Sequence, residues 1–195
     1  KLVSASLDGR PMELFDVRNP DGSPSGIVRE RGIVHREGSL HATAHIWVVR
    51  ENDKSGYDVL LQKRSACKDS NPGYYDISAA GHLPAGDDYL PSAVRELAEE
   101  LGIIAEEEEL QYVGIHHGGF EDVFYGKPFK DDELSAVYVY SRPVQADKLQ
   151  LQESEVEEVI WIDYEECMKR IADGTLKNCI YADEFEMVGK YLGVL

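Results

Sequence analysis

The sequence has few cysteines, few basic residues and no long hydrophobic run, and each shortage excludes a class of protein. The three cysteines, Cys67, Cys167 and Cys179, are far apart and form no CxxC pair. This spacing argues against a disulfide framework or a cysteine-based zinc site and predicts reduced thiols in the cytoplasm. No apolar run approaches the roughly 20 residues that cross a bilayer, so we expect no membrane insertion. The chain begins at Lys1 instead of a methionine, which leaves removal of a leader open.

Acidic residues outnumber basic residues by 37 to 20, which gives a formal net charge of -17. Binding of nucleic acid as a bulk polyanion needs a basic surface that displaces condensed counterions, so this mode is excluded. A small anionic substrate is compatible with the charge if metal ions offset the carboxylates locally. The length of 195 residues fits one domain of ordinary size with a short extension.

Strand-like and helix-like segments alternate along the chain and predict an α/β or α+β fold. The N-terminal segment Met12–Val28 contains the turn-rich stretch Asn19–Gly26 and predicts a small β-hairpin. Helices are expected at Tyr164–Ala172 and Asp183–Leu192, and Gly118–Asp132 is expected to be a long loop that covers a substrate. Strands are predicted at His41–Val49, Tyr57–Gln62, Leu134–Tyr140 and Val156–Ile162, the last with Leu110–Ile115 as its candidate partner.

The strongest helical signal covers Leu90–Leu101. Asp87 and Asp88 are placed to cap its start, and Gly102 follows its end. Apolar side chains recur at spacings of three and four residues and form one stripe that should pack on the sheet. The members of this stripe are Leu90, Val94, Leu97 and Leu101.

Three acids, Glu96, Glu99 and Glu100, lie on another face of the same helix. Like charges at these spacings cost about 0.2–0.5 kcal/mol per pair, and the helix macrodipole disfavours acids in the last turn. A solvated acidic face is one interpretation. The other is a metal site, because the preceding loop Gly81–Gly86 contains two glycines that let backbone groups approach a ligand. Carboxylate and carbonyl oxygens suit Mg²⁺ or Mn²⁺.

Residues 81–103, GHLPAGDDYLPSAVRELAEELGI, resemble the Nudix box along its whole length. The matching positions include Gly81, the pair Arg95 and Glu96, and the pair Glu99 and Glu100. One position departs, because Asp87 stands where the family has glutamate. The resemblance implies a Nudix α/β/α sandwich with a mixed β-sheet, to which the predicted N-terminal hairpin is added.

The same resemblance implies a hydrolase that uses Mg²⁺ or Mn²⁺ to cleave a diphosphate bond, with attack of water on phosphorus. The implied metal ligands are Glu96, Glu99, Glu100 and the backbone carbonyl of Ala80. The candidate catalytic residues are Glu99, Glu133 and Arg95. Glu133 is the candidate general base or an additional ligand, because it opens a strand after the predicted long loop. Glu121 and Asp122 in that loop are rivals, and a solvated acid is the alternative for Glu133.

A wider stretch, from His35 to about Glu133, resembles the branch of the superfamily that includes type I isopentenyl-diphosphate isomerases. Residues at the places of Arg64 and Lys68 hold the diphosphate in those isomerases, although surface charges would give the same pattern here. The isomerases have a catalytic cysteine where this sequence has Ala80, which cannot transfer a proton. Hydrolysis is therefore expected. The residues that match the metal site of the isomerases are His35, His41 and His82 with Asp131 and Glu133, and the three histidines form a candidate second metal site.

The sequence thus predicts a cytoplasmic, Mg²⁺-dependent Nudix pyrophosphohydrolase that acts on a nucleoside diphosphate linked to another moiety or on a related diphosphate. Residues 1–30 are expected to form the hairpin extension and residues 31–195 the hydrolase domain. An isopentenyl-diphosphate isomerase-like protein and a non-catalytic Nudix domain that binds a diphosphate ligand are the alternatives. The partner is a small-molecule diphosphate, and a homodimer is expected because symmetric dimers are the commonest assemblies. His45, His116 and His117 are assigned no role.

Overall fold

The computed structural model describes residues 11–195, and residues 1–10 of the predicted extension lie outside the described part. Its strands are β1 (Leu14–Arg18), β2 (Pro24–Glu30), β3 (His41–Glu51), β4 (Tyr57–Arg64), β5 (Tyr75–Asp76), β6 (Ala79–His82), β7 (Leu110–Phe124), β8 (Lys127–Tyr140) and β9 (Val156–Asp163). Its α-helices are α1 (Arg31–Glu37), α2 (Tyr89–Leu101), α3 (Tyr164–Ala172) and α4 (Ala182–Leu192), with short 3-10 helices at Glu107–Glu109 and Ala146–Lys148. Within residues 11–195, none of the helices has the length and apolar character needed to cross a membrane.

The long strand β3 is the centre of a seven-stranded sheet. On one side, residues 41–48 of β3 pair in parallel with residues 133–140 of β8. On the other side, β3 pairs antiparallel first with β6 and then with β4. β7 extends the sheet beyond β8, and β5 and β9 both pair with β4. One parallel pair among antiparallel pairs makes the sheet mixed, as predicted.

The two faces of β3 bury different helices, because successive side chains of a strand point to opposite faces. Ile46 and its neighbours on one face pack in the core that contains Leu97 and Leu101 of α2. Trp47 on the other face packs in the core that contains Tyr164 of α3 and Phe185 of α4. The sheet therefore lies between α2 on one side and α3 with α4 on the other, which confirms the predicted α/β/α sandwich.

The N-terminal hairpin is confirmed as a separate two-stranded antiparallel sheet of β1 and β2. It is attached to the main sheet by backbone hydrogen bonds, since the N–H of Arg18 donates to the carbonyl of Leu40 at 2.7 Å and the N–H of Ala85 donates to that of Leu14 at 2.7 Å. Phe15 is buried at this junction. The hairpin is thus fixed beside the loop that precedes α2, and the division of the chain at residue 30 stays a prediction.

Two sequence-based expectations about strands were wrong. Gly118–Asp132 is not a loop, because β7 and β8 continue pairing as far as the register Phe124–Lys127. The chain reverses at Tyr125 and Gly126, whose φ angles of 52° and 73° are those of a tight hairpin turn. The strand β9 pairs with β4 and not with residues 110–115, which belong to the pair of β7 with β8.

The packing of α2 predicts a large difference between two aliphatic side chains. Leu97 is completely buried, so we expect Leu97→Ala to lower the free energy of unfolding by about 2–5 kcal/mol through lost contacts and a cavity. Ile104 is 81% exposed, and Ile104→Ala should change the same quantity by less than about 0.5 kcal/mol. Urea denaturation measures both, and equal destabilisation by the two variants would contradict the placement of the α2 stripe.

Candidate active site

A cavity of about 750 Å³ opens where β6, α2 and the N-terminal hairpin meet the part of β8 between Phe129 and Glu133. We call it the site cavity. It gathers side chains from distant parts of the chain, including all but one of the residues that the sequence assigns to catalysis, phosphate binding or metal binding. The predicted residues that line it are His35, Arg64, Lys68, Ala80, His82, Arg95, Glu96, Glu99, Glu100 and Glu133. His41 lies immediately behind this lining.

Two carboxylates of α2, Glu96 and Glu100, face β6 and form what we call the acidic pair. Glu100 is 5% exposed and accepts hydrogen bonds from the side-chain amide of Gln62 at 2.6 Å and from the backbone N–H of Ala80 at 3.4 Å. Glu96 lies against Gly81, and a Cβ atom at that position would collide with its carboxylate. Gly81 is therefore needed for space, which a single sequence cannot reveal without the fold.

Burial makes the acidic pair difficult to ionise. It raises the pKa of Glu100 to about 8, with a further contribution from repulsion by Glu96. It also raises the pKa of Glu96 to about 7, although the hydrogen bond from Arg95 opposes this shift. A nearby divalent cation would remove the cost of two adjacent buried charges. Hard oxygen donors in this arrangement fit Mg²⁺ or Mn²⁺.

Arg95 holds three acids of the predicted box together. Its guanidinium donates to Asp87 at 3.0 Å and to Glu96 at 3.2 Å, and its Nε lies 3.7 Å from Glu99. The contact with Asp87 shows that the shorter acid still reaches Arg95 in place of the glutamate of the family pattern. Glu99 has a half-exposed side chain and is the most exposed of the three acids that Arg95 contacts.

The three histidines from α1, β3 and β6 meet at one wall, and we call His35, His41 and His82 the histidine cluster. Their ligand atoms lie within 4.8 Å of one another, and the same holds for His41, Asp131 and Glu133. The Nε2 atoms of His35 and His41 are buried without a hydrogen-bond partner in the described residues. They lie 3.4 and 3.6 Å, respectively, from a carboxylate oxygen of Asp131.

Electrostatics favour neutral rings for two members of the histidine cluster, His41 and His82. Burial lowers the pKa of His82 well below its usual value and also lowers the pKa of His41. Phe15 stacks on His82 with ring centres 4.7 Å apart, and Phe129 stacks on His35 at 4.4 Å, so apolar rings limit access of water. Neutral imidazoles with unpaired nitrogens beside buried carboxylates are the donor set of a metal site, and the cluster therefore fits a divalent cation.

Two basic residues, Arg64 and Lys68, also line the site cavity. Arg64 donates to Asp76 at 3.1 Å and to the carbonyl of Ser70 at 3.0 Å. Lys68 donates to Glu155. Both side chains are mostly buried, so they are more than solvated surface charges. Their presence in the cavity supplies positive charge beside the acidic residues.

The structure adds two residues that were assigned no role from sequence, His45 of β3 and Glu184 of α4. Nδ1 of His45 lies 2.6 Å from Glu184, and Nε2 lies 3.4 Å from Glu133. Burial opposes the charge on His45, but Glu184 and Glu133 outweigh it and hold its pKa well above the usual value. The available signal was the alternation of polar side chains on buried β3, where His41, Thr43 and His45 share one face.

The sequence and the fold of this chain are similar to those of known proteins. The model of the NUDIX domain family matches residues 39–181, which is most of the chain. Nudix hydrolase 3 of Arabidopsis thaliana is 38% identical over 156 residues, which cover 79% of this chain but 20% of that protein. A Nudix hydrolase of Clostridium acetobutylicum, described as uncharacterised, is 35% identical over 157 residues and covers 80% of this chain and 72% of the relative.

Solved structures agree on the fold. A crystal structure of a Deinococcus radiodurans protein aligns with a TM-score of 0.63 at 19% identity and covers 91% of this chain and 98% of that one. The NUDIX domain of NrtR from Shewanella oneidensis, determined with ADP ribose, aligns with a TM-score of 0.57 at 16% identity and covers 77% and 87%. The two relatives named above are described as Nudix hydrolases, and neither supports the isomerase-like branch. The family model, the relatives and the box on α2 agree: the chain belongs to the Nudix family.

Proposed function

We propose that this Nudix domain hydrolyses a diphosphate linkage in a Mg²⁺-dependent reaction. The observation that carries the proposal is the buried acidic pair, which fits a divalent cation, in a cavity that also contains Arg64 and Lys68. The cavity volume of about 750 Å³ lies in the range of roughly 300–1,000 Å³ that small-molecule sites occupy. The arrangement therefore suits a small anionic substrate with at least two phosphate groups.

Each residue has a defined part in this proposal. Glu96, Glu99, Glu100 and the backbone carbonyl of Ala80 would hold Mg²⁺ or Mn²⁺. When bound, such a cation neutralises phosphate charge and lowers the pKa of bound water. Arg95 orients Glu96 and Glu99 through its contacts with both carboxylates. Arg64 and Lys68 donate hydrogen bonds to phosphate oxygens, exchanging part of their contacts with Asp76 and Glu155 for the substrate.

Glu133 is the general base that we favour. It is 8% exposed, lines the site cavity and stands at the point where β8 reaches the histidine cluster. Glu99 is the other candidate, since it lies beside Arg95 and is open to solvent. Glu121 and Asp122, the alternatives to Glu133 that the sequence offered, are exposed on β7 and are not part of the lining of the site cavity. A proton acceptor must reach the attacking water, which favours a residue of the lining.

The substrate class that we propose is a nucleoside diphosphate linked to another moiety, or a related diphosphate. The ADP ribose in the Shewanella oneidensis structure is a compound of this class. Phosphate release from a panel of nucleoside diphosphate sugars, dinucleoside polyphosphates, nucleoside di- and triphosphates and prenyl diphosphates tests the proposal. Formation of an allylic isomer from isopentenyl diphosphate would favour the isomerase alternative. Calorimetric binding without product in Mg²⁺ or Mn²⁺ would favour the non-catalytic alternative.

The histidine cluster supports a second proposal, a further divalent metal bound by His35, His41 and His82 with Asp131 and Glu133. The unpaired Nε2 atoms of His35 and His41 carry this proposal, because buried polar atoms without partners are rare unless a ligand completes them. The cytoplasmic location, the homodimer and the boundary at residue 30 stay predictions.

The acidic pair gives a direct test of the hydrolase proposal. We expect Glu100→Gln to lower kcat by at least tenfold on any substrate of the unmodified protein, because a main metal ligand contributes more than about 1.4 kcal/mol to the reaction. The control is Glu108→Gln, in an exposed 3-10 turn, which should leave kcat within twofold. A loss of less than tenfold for Glu100→Gln would refute the ligand assignment.

Raised pKa values in the acidic pair predict how stability depends on pH without divalent cations. Glu100 has a pKa of about 8 in the folded protein against 4.5 ordinarily, so the folded state binds more protons between these values. The contribution of Glu100 to the free energy of unfolding therefore falls as pH rises across this window, by up to about 1.4 kcal/mol per pH unit. Thermal unfolding in EDTA should show a steeper fall for the unmodified protein than for Glu100→Gln. Parallel curves would contradict the assignment.

The histidine cluster predicts a second class of metal site. We expect calorimetric titration with Mn²⁺ to show that His41→Asn loses one binding event, or weakens it at least tenfold, because His41 contacts both groups of candidate ligands. The event that depends on Glu100 should persist. His117→Asn is the control, since His117 is a mostly exposed histidine paired with Asp132. Unchanged Mn²⁺ stoichiometry and affinity in His41→Asn would overturn the second site.

A further inference from the structure

The C-terminal helix α4 places one almost completely buried carboxylate, Glu184, in the wall of the site cavity. This side chain is 1% exposed. One of its oxygens accepts a hydrogen bond from His45 at 2.6 Å, and the other accepts one from the indole N–H of Trp47 at 2.8 Å. Both oxygens of Glu184 are therefore engaged by β3, so the carboxylate is a fixed structural group and not an open ligand position.

His45 extends this contact to the candidate general base. Because Glu184 accepts a hydrogen bond at Nδ1, that nitrogen carries a proton, and the opposite nitrogen, Nε2, faces Glu133 at 3.4 Å. The hydroxyl of Ser135 lies 3.2 Å from the same Nε2 and donates to Glu133 at 3.4 Å. A continuous chain of polar contacts thus runs from α4 through β3 to the carboxylate in the site cavity.

Helix docking alone does not account for this chain. α4 already packs through Phe185 and Val188, both completely buried in the core that contains Trp47. Buried ion pairs contribute little net stability, because the desolvation of both charges offsets their attraction. Apolar contacts therefore suffice to attach α4, whereas the pair of Glu184 with His45, which also lines the site cavity, leads to the candidate general base Glu133.

We propose that Glu184 and His45 are positioning residues that hold the carboxylate of Glu133 toward the bound substrate. The inference rests on the proposed function, because it takes Glu133 to be the proton acceptor or an additional metal ligand. In this role His45 acts through Glu133 and contacts no reacting atom. A displacement of about 1 Å at a catalytic group can cost about 100-fold in rate, so a rigid support beneath Glu133 matters for kcat.

Two substitutions of His45 separate positioning from stability. Asparagine retains a donor near the place of Nδ1 and so preserves the contact with Glu184, but it removes the contact of His45 with Glu133 and leaves that of Ser135. Glutamine reaches toward the place of Nε2 and preserves support of Glu133, but it removes the hydrogen bond of His45 to one oxygen of Glu184 and leaves Trp47 on the other. We expect His45→Asn to lower kcat at least tenfold with KM within threefold and little change in the unfolding midpoint. We expect His45→Gln to retain more activity than His45→Asn despite a lower unfolding midpoint.

A double-mutant cycle identifies the residue through which His45 acts. If it acts through Glu133, His45→Asn should change kcat by less than twofold when Glu133→Gln is already present. The control is Asp183→Asn, which lies next to Glu184 on α4 and replaces the charged partner of His116, at 2.8 Å, with a neutral amide. This variant should keep kcat within twofold. Independent effects of His45→Asn and Glu133→Gln, greater activity in His45→Asn than in His45→Gln, or an equal loss in Asp183→Asn would each overturn the proposal.

A second readout distinguishes failure of this inference from failure of the hydrolase proposal. If the unmodified protein turns over no member of the diphosphate panel, the hydrolase proposal fails, and the position of Glu133 is then measured by Mn²⁺ affinity. Weaker Mn²⁺ binding in His45→Asn, with no further loss when Glu133→Gln is added, supports the positioning role. Mn²⁺ affinity equal to that of the unmodified protein overturns it.

Discussion

The site depends on two carboxylates, Glu96 and Glu100, that are held together where water is scarce. Burial raises the pKa of both groups, so without a cation the folded chain favours their protonated forms. They cannot move apart, because the apolar stripe of α2 fixes the helix in the core against β3. The stability of the sandwich and the affinity of the site for a cation are thus linked: the packing that orders α2 also creates the negative charge that a cation offsets.

The strand β3 contributes side chains both to the apolar core and to the site cavity. On the face toward α4, β3 carries His41 and Thr43 near its start. Trp47, farther along the same face, lies in the apolar core. Parallel pairing places Glu133 opposite His41 and Ser135 opposite Thr43. Because the start of β3 lies beside the middle of β8 in this register, Thr43 and Glu133 both line one wall of the site cavity that contains the acidic pair. Register, more than any single residue, therefore determines the composition of this wall.

Local signals predicted local structure well, and long-range pairing poorly. The period of the α2 stripe, with Asp88 before it and Gly102 after it, located the helix within one residue, since caps and apolar periodicity act over a few residues. The extension of β7 and β8 was missed because a glycine pair and Pro128 interrupt the alternation that marks a strand. The pairing of β9 with β4 has no local signal, because either partner satisfies the same alternating pattern.

For the site too, local relations between residues could be predicted from the sequence and long-range relations could not. The box places its acids on one helix, where spacing alone predicts that they meet. His45 and Glu184 lie 139 positions apart, and each alone is an ordinary residue of its element. An acid at a core-facing position of a helix, next to Phe185 and in phase with Val188, nevertheless requires a partner, since an unpaired buried charge is too costly to retain. A sequence can therefore reveal that such a partner exists, but only the fold identifies it as His45, and only that identification connects α4 with Glu133.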